Sequence, residues 1–113
     1  MLVALAGLIV VGLASAMAVP KLKGAITAAG TISLRTSKGK TVKTLVKGTY
    51  SFVVNDTASI HNYTLKGPGI SNRTITGTAF TGTKTVVVKL SKPGTYKVYC
   101  TIHPYIVKTF KVS

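Results

Sequence analysis

The sequence predicts an all-β sandwich, and three observations carry that reading. After residue 18 no stretch repeats its apolar side chains at helical spacing. Short runs alternate apolar and polar residues instead, which is the period of a half-buried strand. Gly, Pro, Asn and Asp separate these runs, and about seven or eight of them fit into the chain beyond residue 18, a number suited to two packed sheets.

The first eighteen residues, MLVALAGLIVVGLASAMA, hold no charged side chain and end on small ones. Ala14-Ser15-Ala16 and Ala16-Met17-Ala18 both fit a signal-peptidase site, although no basic residue precedes the apolar run. Its length is near the lower bound for a membrane span. Residues 1–18 therefore read as a signal peptide or, uncleaved, as an N-terminal membrane anchor. Residues 19–113 read as one domain. The expected location is secreted, periplasmic or cell-surface.

Within that domain, TISLR (Thr31–Arg35) and KTVKTLV (Lys40–Val46) flank a turn, TSKG. TYSFVV sets Tyr50, Phe52 and Val54 on one face and stops at NDTAS. HNYTLK is the next strand, closed by Gly67-Pro68-Gly69. TKTVVVKL places Val86, Val88 and Leu90 opposite Val87 and Lys89. Lys92-Pro93-Gly94 fits a type II turn, because Pro presets φ and Gly accepts a positive φ. TYKVYC then aligns Tyr96, Val98 and Cys100, and KTFKV turns Phe110 and Val112 inward.

Fifteen Lys and Arg stand against a single acid, Asp56, for a net charge of +14. That excludes chemistry needing paired carboxylates, such as glycoside hydrolysis, and an oxygen cage for Mg²⁺ or Ca²⁺. The lysines are scattered, so a soluble surface that discourages edge-to-edge strand pairing is their ordinary role. The same field attracts anions. No nucleic-acid-binding motif is present, and membrane association is expected if residues 1–18 are retained.

Cys100 is the only cysteine and cannot form an internal disulfide. It is a buried thiol, an intermolecular bridge or a metal ligand. The strand pattern turns it inward near a strand end, and His103 follows in the loop. His61, the only other histidine, comes after the polar turn. One thiolate and two imidazoles brought together make the donor set of a trigonal copper site. The same donors with an open water position could hold zinc, but no carboxylate base accompanies them.

Singly, C-x-x-H and H-N carry little. Together, TYKVYC closing a late strand, His103-Pro104 in the loop, one short final strand and FVVNDTASIHNYTL upstream resemble the cupredoxins. These are small blue copper proteins related to plastocyanin, amicyanin and azurin, and the resemblance covers nearly all of residues 19–113. CTIHPYI is most similar to the short ligand loop of amicyanin-type members, Cys-x-x-His-Pro-aromatic-Met. The resemblance implies a Greek-key sandwich holding one type 1 copper ion. His61 and His103 would be its imidazole ligands and Cys100 its thiolate. Asn62 would tie its own loop to the residue after the cysteine. Pro104 and Tyr105 would form a docking rim beside the outer edge of His103.

The departure is at the axial position, where Ile106 stands in place of the family's Met. An Ile cannot coordinate, and the only methionines, Met1 and Met17, lie in the leader. Family members with Leu or Phe there bind copper through three ligands and have higher potentials. The implied function is a one-electron carrier rather than an enzyme, since multicopper oxidases and nitrite reductases need more than two histidines. The alternatives are a copper carrier or sink, and a metal-free domain that binds surfaces through its lysines. The expected partner is an acidic redox protein or an anionic cell-surface component.

Overall fold

A computed structural model describes residues 18–113, so the leader read over residues 1–18 lies, apart from Ala18, outside the described residues. Nine strands follow in order: β1 (Lys21–Ile26), β2 (Ile32–Thr36), β3 (Thr44–Leu45), β4 (Gly48–Asp56), β5 (Tyr63–Gly67), β6 (Ile70–Thr76), β7 (Gly82–Leu90), β8 (Gly94–Tyr99) and β9 (Val107–Val112). They form a four-stranded sheet, β2-β1-β4-β7, and a five-stranded sheet, β3-β9-β8-β5-β6. Both sheets are mixed, because β1 runs parallel to β4 and β3 parallel to β9.

The inward rows predicted from alternation are the core. Phe52 and Val54 of β4, Leu90 of β7 and Val98 of β8 are fully buried, and Phe110 and Val112 of β9 nearly so. Tyrosines cross this core with their hydroxyls satisfied at its margins. Tyr96 stacks on Phe110 and donates to the carbonyl of Lys92 at 2.6 Å. Tyr63 donates to the carbonyl of Ser33 at 2.7 Å, linking the two sheets. Its approach requires Gly24 in β1, because a Cβ there would lie 2.5 Å from the hydroxyl.

Four elements differ from the sequence expectation. The turn at Thr36–Lys40 forms, with Thr36 N–H donating to the Lys40 carbonyl and Val42 N–H to that of Leu34. The strand expected over Lys40–Val46, however, shrinks to Thr44–Leu45. By Lys43 the chain has left β2 for the other sheet, where its carbonyl accepts from Lys111. The main partner of β2 is β1, which alternation had not marked. β6 was likewise unmarked, and its residues Ser71–Thr74 are all exposed. His61 and Asn62 precede β5 rather than opening it.

The register sorts the loops to two ends. Ile26 pairs with Asp56, Asp56 with Gly82, and Tyr99 with Val107. The β1–β2, β4–β5, β6–β7 and β8–β9 connections therefore meet at one end. The β2–β3 turn, the β3–β4, β5–β6 and β7–β8 connections and the start of β1 lie at the other.

Candidate metal centre

At the first end, β8 delivers Cys100 and the β4–β5 connection delivers His61. Asp56 ends β4 with a turn of its own, its Oδ1 accepting the Ala58 N–H at 2.8 Å, as a short acidic side chain does at a chain reversal. Five residues later His61 is buried, and Asn62 beside it. The β8–β9 loop is closed by two backbone bonds. Cys100 N–H donates to the Ile106 carbonyl at 3.1 Å, and Ile106 N–H donates to that of His103 at 2.9 Å. This tight loop folds His103 back over the cysteine.

His61, Cys100 and His103 are thus brought together as one group of potential ligands. The two Nδ1 atoms are 3.1 Å apart, and each lies 3.9 Å from Cys100 Sγ. An ion about 2.0–2.1 Å from each nitrogen and about 2.3 Å from the sulfur spans a triangle of this size. The imidazoles meet edge to face, at an interplanar angle of 86°. Cys100 is fully buried and His103 half-buried, so one edge of the group faces solvent. Two nitrogens and one sulfur fit copper in a trigonal site.

Asn62 couples the two ligand loops. Its N–H donates to Cys100 Sγ at 3.4 Å. Its Nδ2 donates to Thr101 Oγ1 at 2.9 Å and to Thr78 Oγ1 at 3.3 Å. Its Oδ1 accepts from Thr101 N–H at 3.1 Å and from Thr64 Oγ1 at 2.8 Å. Every polar atom of this buried amide is satisfied, which fixes its orientation and the thiol beside it. Thr64 and Thr78 carry no sequence signal for this role. Thr64 stands two residues after Asn62 on a strand, and Thr78 arrives from the β6–β7 connection.

Ile106 is buried in the same core cluster as Cys100, its side chain against the β1–β2 turn, where Gly30 takes φ 86°. Pro104 and Tyr105 are exposed, Tyr105 to 79%, with its ring 5.8 Å from that of His103. Ile60 and Ile102 are also exposed at this end and extend the apolar rim.

No protein-family model and no curated protein sequence matches the chain. Solved structures do. A multi-copper oxidase from Pediococcus acidilactici superposes with a TM-score of 0.59 at 15% identity, over 86% of this chain and 27% of that one. The chain thus spans about a quarter of that protein's length. A purple cupredoxin from Nitrosopumilus maritimus gives 0.47 at 18% identity, over 80% of this chain and 98% of that one. Oxidized plastocyanin from Dryopteris crassirhizoma gives 0.47 at 18%, over 82% and 99%. At these identities the likeness is one of fold. Residues 18–113 form a cupredoxin-like β-sandwich, and His61, Cys100 and His103 stand together in it as a group that could hold a metal ion, with donors that fit type 1 copper.

Proposed function

We propose that this domain holds one copper ion between His61, Cys100 and His103 and serves as a carrier of single electrons. The observation that supports the reading is the triangle of two imidazole nitrogens and one thiol sulfur at 3.1, 3.9 and 3.9 Å. Copper would supply a Cu(II)/Cu(I) couple there. The chain's own residues supply the rest. Cys100 would bind the ion through its sulfur, which accepts from the Asn62 N–H. The Asn62 amide and the two backbone bonds of the β8–β9 loop keep the donors nearly fixed, so both oxidation states meet similar ligand positions.

His103 presents its open edge within the rim of Ile60, Ile102, Pro104 and Tyr105, where a redox partner would exclude water on docking. An acidic partner would be drawn in by the overall charge and oriented by this apolar rim. Export and a periplasmic, secreted or cell-surface setting belong to the same reading and rest on the uncharged leader. The test is electrochemical. The copper-loaded chain should give one reversible one-electron wave and exchange electrons with an acidic donor at a rate that falls with salt. A copper complex that binds but exchanges no electrons would leave a copper carrier or sink instead.

A further inference from the structure

The two ends of the sandwich differ in charge as well as in chemistry. At the metal end, the connections Thr27–Thr31, Thr57–Asn62, Gly77–Thr81 and Cys100–Ile106 contain no Lys or Arg. The only acid, Asp56, is buried just beneath them. At the opposite end Lys21, Lys38, Lys40, Lys47 and Lys92 are all exposed. Ordered backbone holds their bases: Lys47 N–H donates to the Ser113 carbonyl, and Lys38 and Lys40 sit in the closed turn after β2. With Asp56, the only acidic side chain, buried at the far end, no acidic side chain stands among these lysines, and their field is open to an anionic partner.

We infer that the end opposite the metal centre docks on an anionic lipid bilayer, which points His103 away from the membrane. A bilayer fits better than an acidic protein for two reasons. The lysines spread over the whole end face, on three separate loops and the start of β1, a breadth that suits a flat layer of headgroups. The uncharged residues 1–18 also join the fold here, because β1 begins at this end and the Pro20 carbonyl accepts from Ser51. Each lysine near an anionic headgroup adds attraction that decays within a Debye length, so only those on the facing end contribute strongly. The inference needs no metal, and its test reads lipid binding alone.

The experiment compares two quadruple variants of the full chain that lose equal charge. One replaces the end lysines, as Lys38→Gln, Lys40→Gln, Lys47→Gln and Lys92→Gln. The other replaces lysines on the flanks, as Lys23→Gln, Lys66→Gln, Lys84→Gln and Lys108→Gln. Melting curves matching the parent's show that both are folded. Each protein is sedimented with vesicles of phosphatidylglycerol and phosphatidylcholine, and with phosphatidylcholine alone. The quantity read is the ratio of the two partition coefficients, which cancels any contribution of the uncharged N-terminal stretch. The parent should favour anionic vesicles, and the end variant should lose on the order of tenfold or more in this ratio. The flank variant should lose far less. Equal losses, or a parent ratio near one, would overturn the inference. So would end-dependent binding to poly-glutamate with none to anionic vesicles, which would make the partner an acidic polypeptide.

Discussion

The metal end and the lysine end hang from the same strands, yet they are stabilised and used differently. At the metal end, uncharged side chains satisfy one another: the Asn62 amide joins Thr64, Thr78 and Thr101, and two imidazoles face a thiol. At the other end the contacts are tyrosine hydroxyls on loop carbonyls, as Tyr96 makes to Lys92 and Tyr50 to Val46, and the lysines project outward. The difference teaches how a chain of charge +14 can still offer a cation site. A lysine beside the donors would repel a bound metal ion, and the connections at this end contain none, although Lys84 of β7 reaches back over the Phe80 ring.

Substitutions can break or sharpen this contrast. The largest effect should come from the core that both ends share. Phe52→Ala removes a fully buried ring from the middle of β4 and should cost about 3–5 kcal/mol in denaturant unfolding. Both ends should loosen together, with no change of donors.

Asn62→Ala tests the metal end alone. Its side-chain bonds to Thr64, Thr78 and Thr101 vanish, and the buried Thr64 hydroxyl is left with only the Thr74 hydroxyl at 3.4 Å, at about 1–3 kcal/mol. Copper affinity should fall with stability. Lys47→Gln at the other end should change stability by no more than about 0.5 kcal/mol and leave copper binding unaltered. Equal effects from the two would erase the contrast.

Tyr63 crosses the core from one sheet to the other near the metal end, and burial pushes its phenol well above the usual tyrosine range. Below about pH 10 the phenol is neutral in both folded and unfolded chains, so its stabilising contribution is complete. Above that pH the unfolded chain ionises while the folded one resists, and stability falls as pH rises. Tyr63→Phe should reduce this alkaline loss, at the expense of the bond to Ser33, about 0.5–1.5 kcal/mol at neutral pH. Unfolding measured from pH 8 to 11 on both proteins checks the sign.

The smallest structural change should have a distinct redox signature. Ile106→Met swaps side chains of similar volume and should cost about 1.5 kcal/mol or less. A thioether favours the oxidised ion, and removing the apolar Ile raises local polarity, so the reduction potential should fall. An unchanged potential would mean that position 106 does not face the metal.

How much of this was legible in the sequence depended on range. Tyr96 and Val98 alternate within β8 and Cys100 follows at the same spacing just past its end, so their burial could be read locally. The three donors could be named because the chain has only two histidines and one cysteine to offer. β1 escaped notice, since Gly24 and Ala25 blunt its apolar pattern, and its small residues make sense only beside Tyr63 from the other sheet. β6 pairs β5 with register shifts and faces solvent, so it shows almost no alternation. The Thr78 contact to Asn62 is tertiary throughout. The charge polarity was also hidden, because lysines scattered along the sequence become asymmetric only when the register sorts the loops to two ends.

The most direct test of a copper centre at the lysine-poor end is the visible spectrum of the chain titrated with Cu(II). One equivalent should produce an intense thiolate-to-copper absorption, and Cys100→Ser should abolish it while the fold, followed by its melting curve, survives. A chain that stays colourless with Cu(II), or a band that persists without Cys100, would contradict the assignment of His61, Cys100 and His103 as the copper ligands.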